Sequence, residues 1–266
     1  MRRIFSSWKS DCCRFLWNKR FVFSILCVTA VCLFSSSYYI IFEGSMGTST
    51  VVNVLFMLFM TSMDVILLSV FASFPAVSSF CSDWNCQYIR CHSSRSGTKA
   101  YIRGRIFSCF TVTFLTVFLG LLLFVIILLF LFPVANMENE LNVTNFPITR
   151  KLFMVSPWLY ILYHIFVISL ETAAWGMVGL SISALLPNRF IALLSPFICC
   201  YIVTTISRSF PAYLNFYSIN TLEDVFKQEN PILNLAYIVG IYAVIVLIFS
   251  LIFSRVVKRR VGNEIT

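Results

Sequence analysis

The sequence predicts an all-α, polytopic membrane protein with six transmembrane helices, both termini cytoplasmic, and an amphipathic interfacial helix ahead of the first span. Three observations carry that prediction. Apolar residues make up 59% of the 266 residues, charged residues only 12%, and mean hydropathy is +0.87. A soluble domain carries about 25% charge, and a disordered chain needs low hydrophobicity, so both classes are excluded. Six segments approach the roughly 20 apolar residues that cross a bilayer core. The Lys and Arg residues between those segments alternate in density from side to side.

The N-terminal tail, MRRIFSSWKSDCCRFLWNKR, has no short apolar core ending in a small-residue cleavage site, so it does not read as a cleavable signal. Ile4, Phe5, Trp8, Cys12, Phe15 and Leu16 fall near one helical face, with Lys9 and Arg14 off it. This pattern predicts a helix within 1–20 lying on the inner leaflet. The simpler alternative is a plain basic flank.

The spans are expected at about 21–42, 51–74, 106–133, 152–181, 188–206 and 232–254, within one transmembrane domain covering 1–266. Asp64 interrupts the second, Pro133 ends the third, and the fourth carries His164 and Glu171. Pro196 lies inside the shorter fifth, and Pro231 and Arg255 bracket the sixth. The tails and alternate loops hold sixteen Lys and Arg on one side, against four on the other. The positive-inside rule therefore places both termini in the cytoplasm of a plasma-membrane protein. Residues 134–151 and 207–230 fall outside. The second of these is amphipathic and aromatic, a pattern that fits short helices dipping into the outer leaflet and returning.

Net charge is +9, but the basic residues sit in blocks at the ends of apolar runs. That is topology, with phosphate binding the weaker reading and no nucleic-acid partner expected. The ten cysteines mostly lie in or beside apolar runs and are expected as free thiols. Cys81, Cys86, Cys91 and His92 lack the CxxC knuckle of a structural zinc site, so no metal and no cofactor is expected. With only His92 and His164 present, one on each side of the membrane boundary, no nucleophile–base pair can be built on histidine. Asn142-Val143-Thr144 matches a glycosylation sequon and is read as chance.

The inner loop 75–105, PAVSSFCSDWNCQYIRCHSSRSGTKAYIRGR, is long, basic and aromatic. Asp83 is placed to open a short helix, with Trp84, Tyr88 and Cys91 on one face, and SRSG marks a turn. A short helix held away from the bilayer would be a docking element for a cytoplasmic partner. A solvated loop that only sets topology is the plainer alternative.

Phe80, Asp83, Arg95, Gly97, Tyr101, Gly104 and Arg105 in this loop resemble the first inner loop of the ABC type-2 permease family, the membrane subunits of ATP-binding-cassette exporters. Asp11, Arg14 and Lys19 before the first span are similar to that family's lead-in, and Asn188, Arg189, Ala192 and Pro196 to its inner turn and fifth span. Arg105 stands where Lys is usual, and Cys86 where Gly is common. The resemblance implies a permease subunit that pairs with a second permease copy, as homodimer or heterodimer, within membrane lipid. It implies a coupling helix, here about 81–97, seated in a groove of a separate ABC ATPase subunit, with Asp83, Trp84, Tyr88, Arg90, Arg95 and Gly97 as coupling residues. The chain has no G-x-x-x-x-G-K phosphate loop, so ATP hydrolysis is expected in a partner and the chain is not expected to be an enzyme.

Asp64, His164 and Glu171 are the ionisable groups expected within spans. A charge at the bilayer centre costs about 2.5–3.5 kcal/mol on insertion scales, so such groups face a cavity or a partner. They either line a translocation path or hydrogen-bond inside the bundle and fix packing. His164 and Glu171 share a helical face two turns apart, too far for a direct bond. The alternatives to a permease are a stand-alone six-span carrier, an intramembrane enzyme using Asp64 and Glu171, or a structural or immunity protein without a transport cycle. The absence of a sequence repeat argues against the carrier. The substrate is not encoded in any motif.

Overall fold

In a computed structural model, the described residues are 2–46, 50–60, 62–86, 88–89, 97–135, 147–216, 219 and 231–265. Among them there is no strand. Ten helices carry the fold: α1 (Arg2–Leu16), α2 (Lys19–Met46), α3 (Val51–Met60), α4 (Ser62–Ser73), α5 (Val77–Asn85), α6 (Thr98–Leu131), α7 (Pro147–Val155), α8 (Pro157–Leu185), α9 (Arg189–Ser207) and α10 (Pro231–Ile265). Six stretches are long and apolar enough to cross a membrane: Lys19–Ile41, Ile66–Asn85, Thr98–Leu131, Pro157–Leu185, Arg189–Ser207 and Pro231–Val261. The chain is an all-α, multi-pass membrane protein.

Helix α8 is the axis of the bundle. Its residues are 83% buried over the most apolar window, whereas the window on α10 is 11% buried and presents Leu247, Ile248 and Leu251 outward. An apolar helix that stays exposed in the monomer is one that meets lipid or another chain. Ser181 on α8 donates to the Phe249 carbonyl on α10 at 2.7 Å, and Tyr242 on α10 meets Glu171 at a similar offset, so these two helices run in the same direction. Close packing between α2 and α6 depends on Gly120. A Cβ there would lie 2.5 Å from Val28 Cγ1, and the Gly120 carbonyl accepts from Thr29 Oγ1 at 3.0 Å.

Several boundaries differ from the sequence expectation, each for a local reason. The fourth span begins at Pro157, later than about 152, because the residue before a proline is driven out of the helical region. Ser156 is extended (φ −168°, ψ 130°), and it splits off α7 as a separate helix. The third span begins earlier than about 106. Gly97 takes φ +83°, a left-handed conformation that favours glycine, and the basic segment after it is already helical. The second span continues past residue 74 through the turn at 74–76 into α5.

Helix α5 therefore differs from the element expected in the inner loop. It covers Val77–Asn85, places Asp83 in its last turn and not its first, and is packed into the bundle, with Phe80 and Cys81 fully buried. The apolar residues Val77, Phe80 and Cys81 hold it against the core, ahead of the Trp84, Tyr88 and Cys91 pattern that suggested a detached helix.

Helix α1 crosses α6. Ser7, Asp11 and Phe15 form one stripe that meets Gly104 and Arg105. The neighbouring stripe, Trp8 and Cys12, meets Thr111 two turns further along α6, at 3.4 Å in each case. Two stripes one residue apart on α1 reaching points seven residues apart on α6 require the axes to cross. A helix that crosses a span in this way suits the interfacial position its amphipathic pattern predicts.

Candidate functional site

Four arginines from four different helices converge on the nine residues of α5. Arg14 of α1 forms a fork with Asp83, Nη2 donating to Oδ1 at 2.7 Å and Nη1 to Oδ2 at 3.2 Å. Arg105 of α6 donates through Nη2 to Asp83 Oδ2 at 3.0 Å and to Ser79 Oγ at 2.6 Å. Arg189 of α9 donates to Ser82 Oγ at 3.2 Å. Arg260 of α10 donates to the Leu185 carbonyl at 2.6 Å and lies over the Trp84 ring, 5.1 Å from its centroid. Because α5 is amphipathic, its apolar side enters the core while Ser79, Ser82 and Asp83 remain to receive these cations.

Arg105 is the centre of the arrangement. Its side chain is 0% exposed, Asp11 Oδ2 lies 3.8 Å from its Nη1, and the Phe15 ring lies 4.9 Å from its guanidinium carbon. A buried guanidinium is tolerated only when carboxylates and hydrogen bonds replace its water. Here Asp83 and Ser79 take the hydrogen bonds of Nη2 and Asp11 stands at ion-pair distance from Nη1, while Nε and Nη1 make no hydrogen bond among the described residues. Arg14 is 44% exposed. Burial works against its charge, and the Asp83 hydrogen bonds and charge overcome that cost, so its pKa stands above the ordinary arginine value.

The expected coupling residues divide accordingly. Asp83 faces inward and is engaged by two arginines. Trp84 is half-buried, stacked on Phe80 at 6.3 Å and covered by Arg260. Tyr88 is exposed, with Arg14 5.3 Å above its ring. Gly97 is the left-handed hinge into α6. Arg90 and Arg95 lie outside the described residues, as do Cys91 and His92.

Of the expected intramembrane groups, His164 and Glu171 sit in separate surroundings on α8. Asp64 belongs to α4, and its side chain lies outside the described residues. His164 is buried against Tyr160 and Tyr163, with ring centroids at 4.3 Å and 5.9 Å. Glu171, also buried, sits where α8, α9 and α10 meet, beside Cys200 and the Tyr242 hydroxyl. The tyrosine beside Glu171 was not legible from spacing, because Tyr242 is 71 residues from its acid, whereas Tyr160 and Tyr163 stand four and one residues before His164 on the same helix.

A further feature lies along α8 and α9. Gly179 of α8 rests against Ala192 and Pro196, and Trp175 and Val178 cluster with Cys200, so α9 climbs antiparallel to α8. Extending that register brings Ser207 level with about Val167, leaving roughly 15 Å of α8 beyond the end of α9. The chain then turns back. Phe216 donates its backbone N–H to Ser207 Oγ at 3.0 Å and lays its ring 6.3 Å from Trp175, and Ile219 is buried with Val167, Ala174 and Tyr242. The Tyr237 hydroxyl donates to the Tyr213 carbonyl in a short 3-10 turn, Ala212–Leu214, satisfying one acceptor of the returning segment.

Among the described residues no group of three or more His, Cys, Asp or Glu could hold a metal ion. No family model, curated protein or solved structure matches the chain.

Proposed function

We propose that this chain is the membrane-spanning permease subunit of an ATP-binding-cassette exporter of the type-2 family, driven by a separate ATPase subunit. One observation carries the reading: the helix at the start of the long basic loop is tied by arginines to four other helices. A push on the loop at Trp84, Tyr88 or the Gly97 hinge is thereby delivered to α1, α6, α9 and α10 together. A loop that only set topology would need no such ties. The resemblance of residues 80–105 to the family's first inner loop supports the same assignment, as does the density of Lys and Arg that places this end in the cytoplasm. In this reading Asp83 and Arg105 carry force, Trp84 and Tyr88 meet the ATPase, and a second copy meets one of the exposed apolar faces. Glu171 and His164 then belong to the walls between moving helices.

The test is co-purification in mild detergent after co-expression with the neighbouring genes, with an ABC ATPase as the expected companion. Wild type is expected to retain the ATPase, and Tyr88→Ala and Trp84→Ala/Tyr88→Ala to lose it while still eluting as folded protein. Absence of any ATPase from the wild-type complex under every detergent condition overturns the assignment.

A further inference from the structure

The end of the bundle that carries the termini has a second cationic feature, separate from the arginines on α5. A cleft of about 230 Å³ opens between the start of α6 and the last turns of α10, lined by Lys99, Ile102, Arg103, Ser254 and Lys258. Lys99 and Arg103 are one helical turn apart on α6, and Ser254 and Lys258 are one turn apart on α10. Three cations and a hydroxyl therefore face one space. Like charges at this spacing repel, and among the described residues no carboxylate pairs with any of the three. The carboxylates whose side chains are described, Asp11, Asp83 and Glu171, are buried elsewhere.

What lies beyond the cleft narrows the ligand. Phe110 and Phe114 follow Arg103 at seven and eleven residues, on the same face of α6. They stand roughly 10 Å and 16 Å further along the helix axis. Both line an apolar cavity of about 520 Å³, together with Trp8, Leu16, Phe166 and Leu170. A cationic cleft at the edge of a span, with an apolar recess two to three turns into the membrane, matches a phosphate and the acyl chain below it. Basic pockets between helices at that level hold anionic lipid headgroups. A free phosphate would use the cleft and leave the recess unfilled.

We propose that Lys99, Arg103, Lys258 and Ser254 form a binding site for the phosphate of an anionic phospholipid, whose acyl chain lies along Phe110 and Phe114. The site does not depend on the transporter assignment. It differs from a diffuse basic surface because its charges converge on one cleft.

Native mass spectrometry of the detergent-purified chain tests it, with phosphatidylglycerol titrated against phosphatidylcholine and inorganic phosphate as the soluble competitor. Phosphatidylglycerol is expected to bind preferentially and to resist excess inorganic phosphate. Lys99→Gln/Lys258→Gln is expected to weaken it about thirtyfold, the factor for two cations at about 1 kcal/mol each. Lys9→Gln/Arg259→Gln removes the same charge from exposed positions outside the cleft and is expected to change binding less than about threefold. Equal binding of the two lipids overturns the proposal, and so does an equal loss in the control variant. Displacement by inorganic phosphate would make this a phosphate site and overturn the lipid assignment.

Discussion

Asp83 bonds to two arginines, and distance and burial rank those bonds in opposite order. The Arg14 fork is the shorter contact, at 2.7 Å and 3.2 Å, but Arg14 is 44% exposed. The Arg105 bond is a single contact at 3.0 Å to a side chain with no exposure. Solvent-facing pairs are worth about 0.2–1 kcal/mol, whereas removing one partner of a buried pair costs about 3–5 kcal/mol. Asp83→Asn is therefore expected to destabilise the protein by about 3–5 kcal/mol, nearly all of it through Arg105. The assay is a double-mutant cycle on unfolding in mixed micelles. Asp83→Asn with Arg105→Gln should couple by about 2–3 kcal/mol, and Asp83→Asn with Arg14→Gln by less than about 1 kcal/mol. Asp83→Leu/Arg105→Met should be more stable than either single replacement, because it leaves no unpaired charge inside. A larger coupling to Arg14 than to Arg105, or an Asp83→Asn loss below about 1 kcal/mol, refutes the reasoning.

Other expectations follow from packing and exposure. Gly120→Ala drives a methyl into Val28 and should cost about 1–3 kcal/mol in thermal unfolding, with Val28→Ala recovering at least half of the loss. Phe216→Ala should cost about 2 kcal/mol, below the 3–5 kcal/mol of a fully buried ring, and Tyr237→Phe under about 1 kcal/mol; equal losses would mean that the returning segment is not anchored by Phe216. In sealed vesicles, an impermeant maleimide should label exposed Cys13 and Cys86 from one side only, and leave buried Cys32, Cys109 and Cys200 unreacted. Burial raises the Cys12 thiol pKa, with the Thr111 hydrogen bond opposing, so at neutral pH Cys12 should react more slowly than Cys13.

Hydropathy and charge alternation made the six spans legible, because each span is a local run that needs no partner to be recognised. The N-terminal helix was legible for the same reason, from the spacing of Ile4, Phe5, Trp8 and Cys12. The ion-paired centre was not. Asp11, Asp83 and Arg105 are separated by 72 and 22 residues, and no local pattern joins them. Asp83 read as the start of a helix facing a partner because Trp84, Tyr88 and Cys91 follow it on one helical face. The apolar stripe Val77, Phe80 and Cys81 was the signal that the helix begins earlier and packs inward. Glu171 was recognisable as an intramembrane acid, while its neighbours Tyr242 and Cys200 arrive from other helices.

The burial of Arg105 also sets an order of assembly. During synthesis Asp11 and Asp83 leave the ribosome before Arg105, so both neutralising carboxylates already exist when the third span reaches the bilayer. The late-made Arg189 and Arg260 fasten α5 only after the fifth and sixth spans are present. A nascent chain lacking the first helix would have to insert a guanidinium with half its counter-charge missing. Protease protection of third-span intermediates made by cell-free translation should therefore fall for Asp11→Ala/Asp83→Ala. The same intermediates should be indifferent to Arg189→Ala, which acts on a segment not yet synthesised.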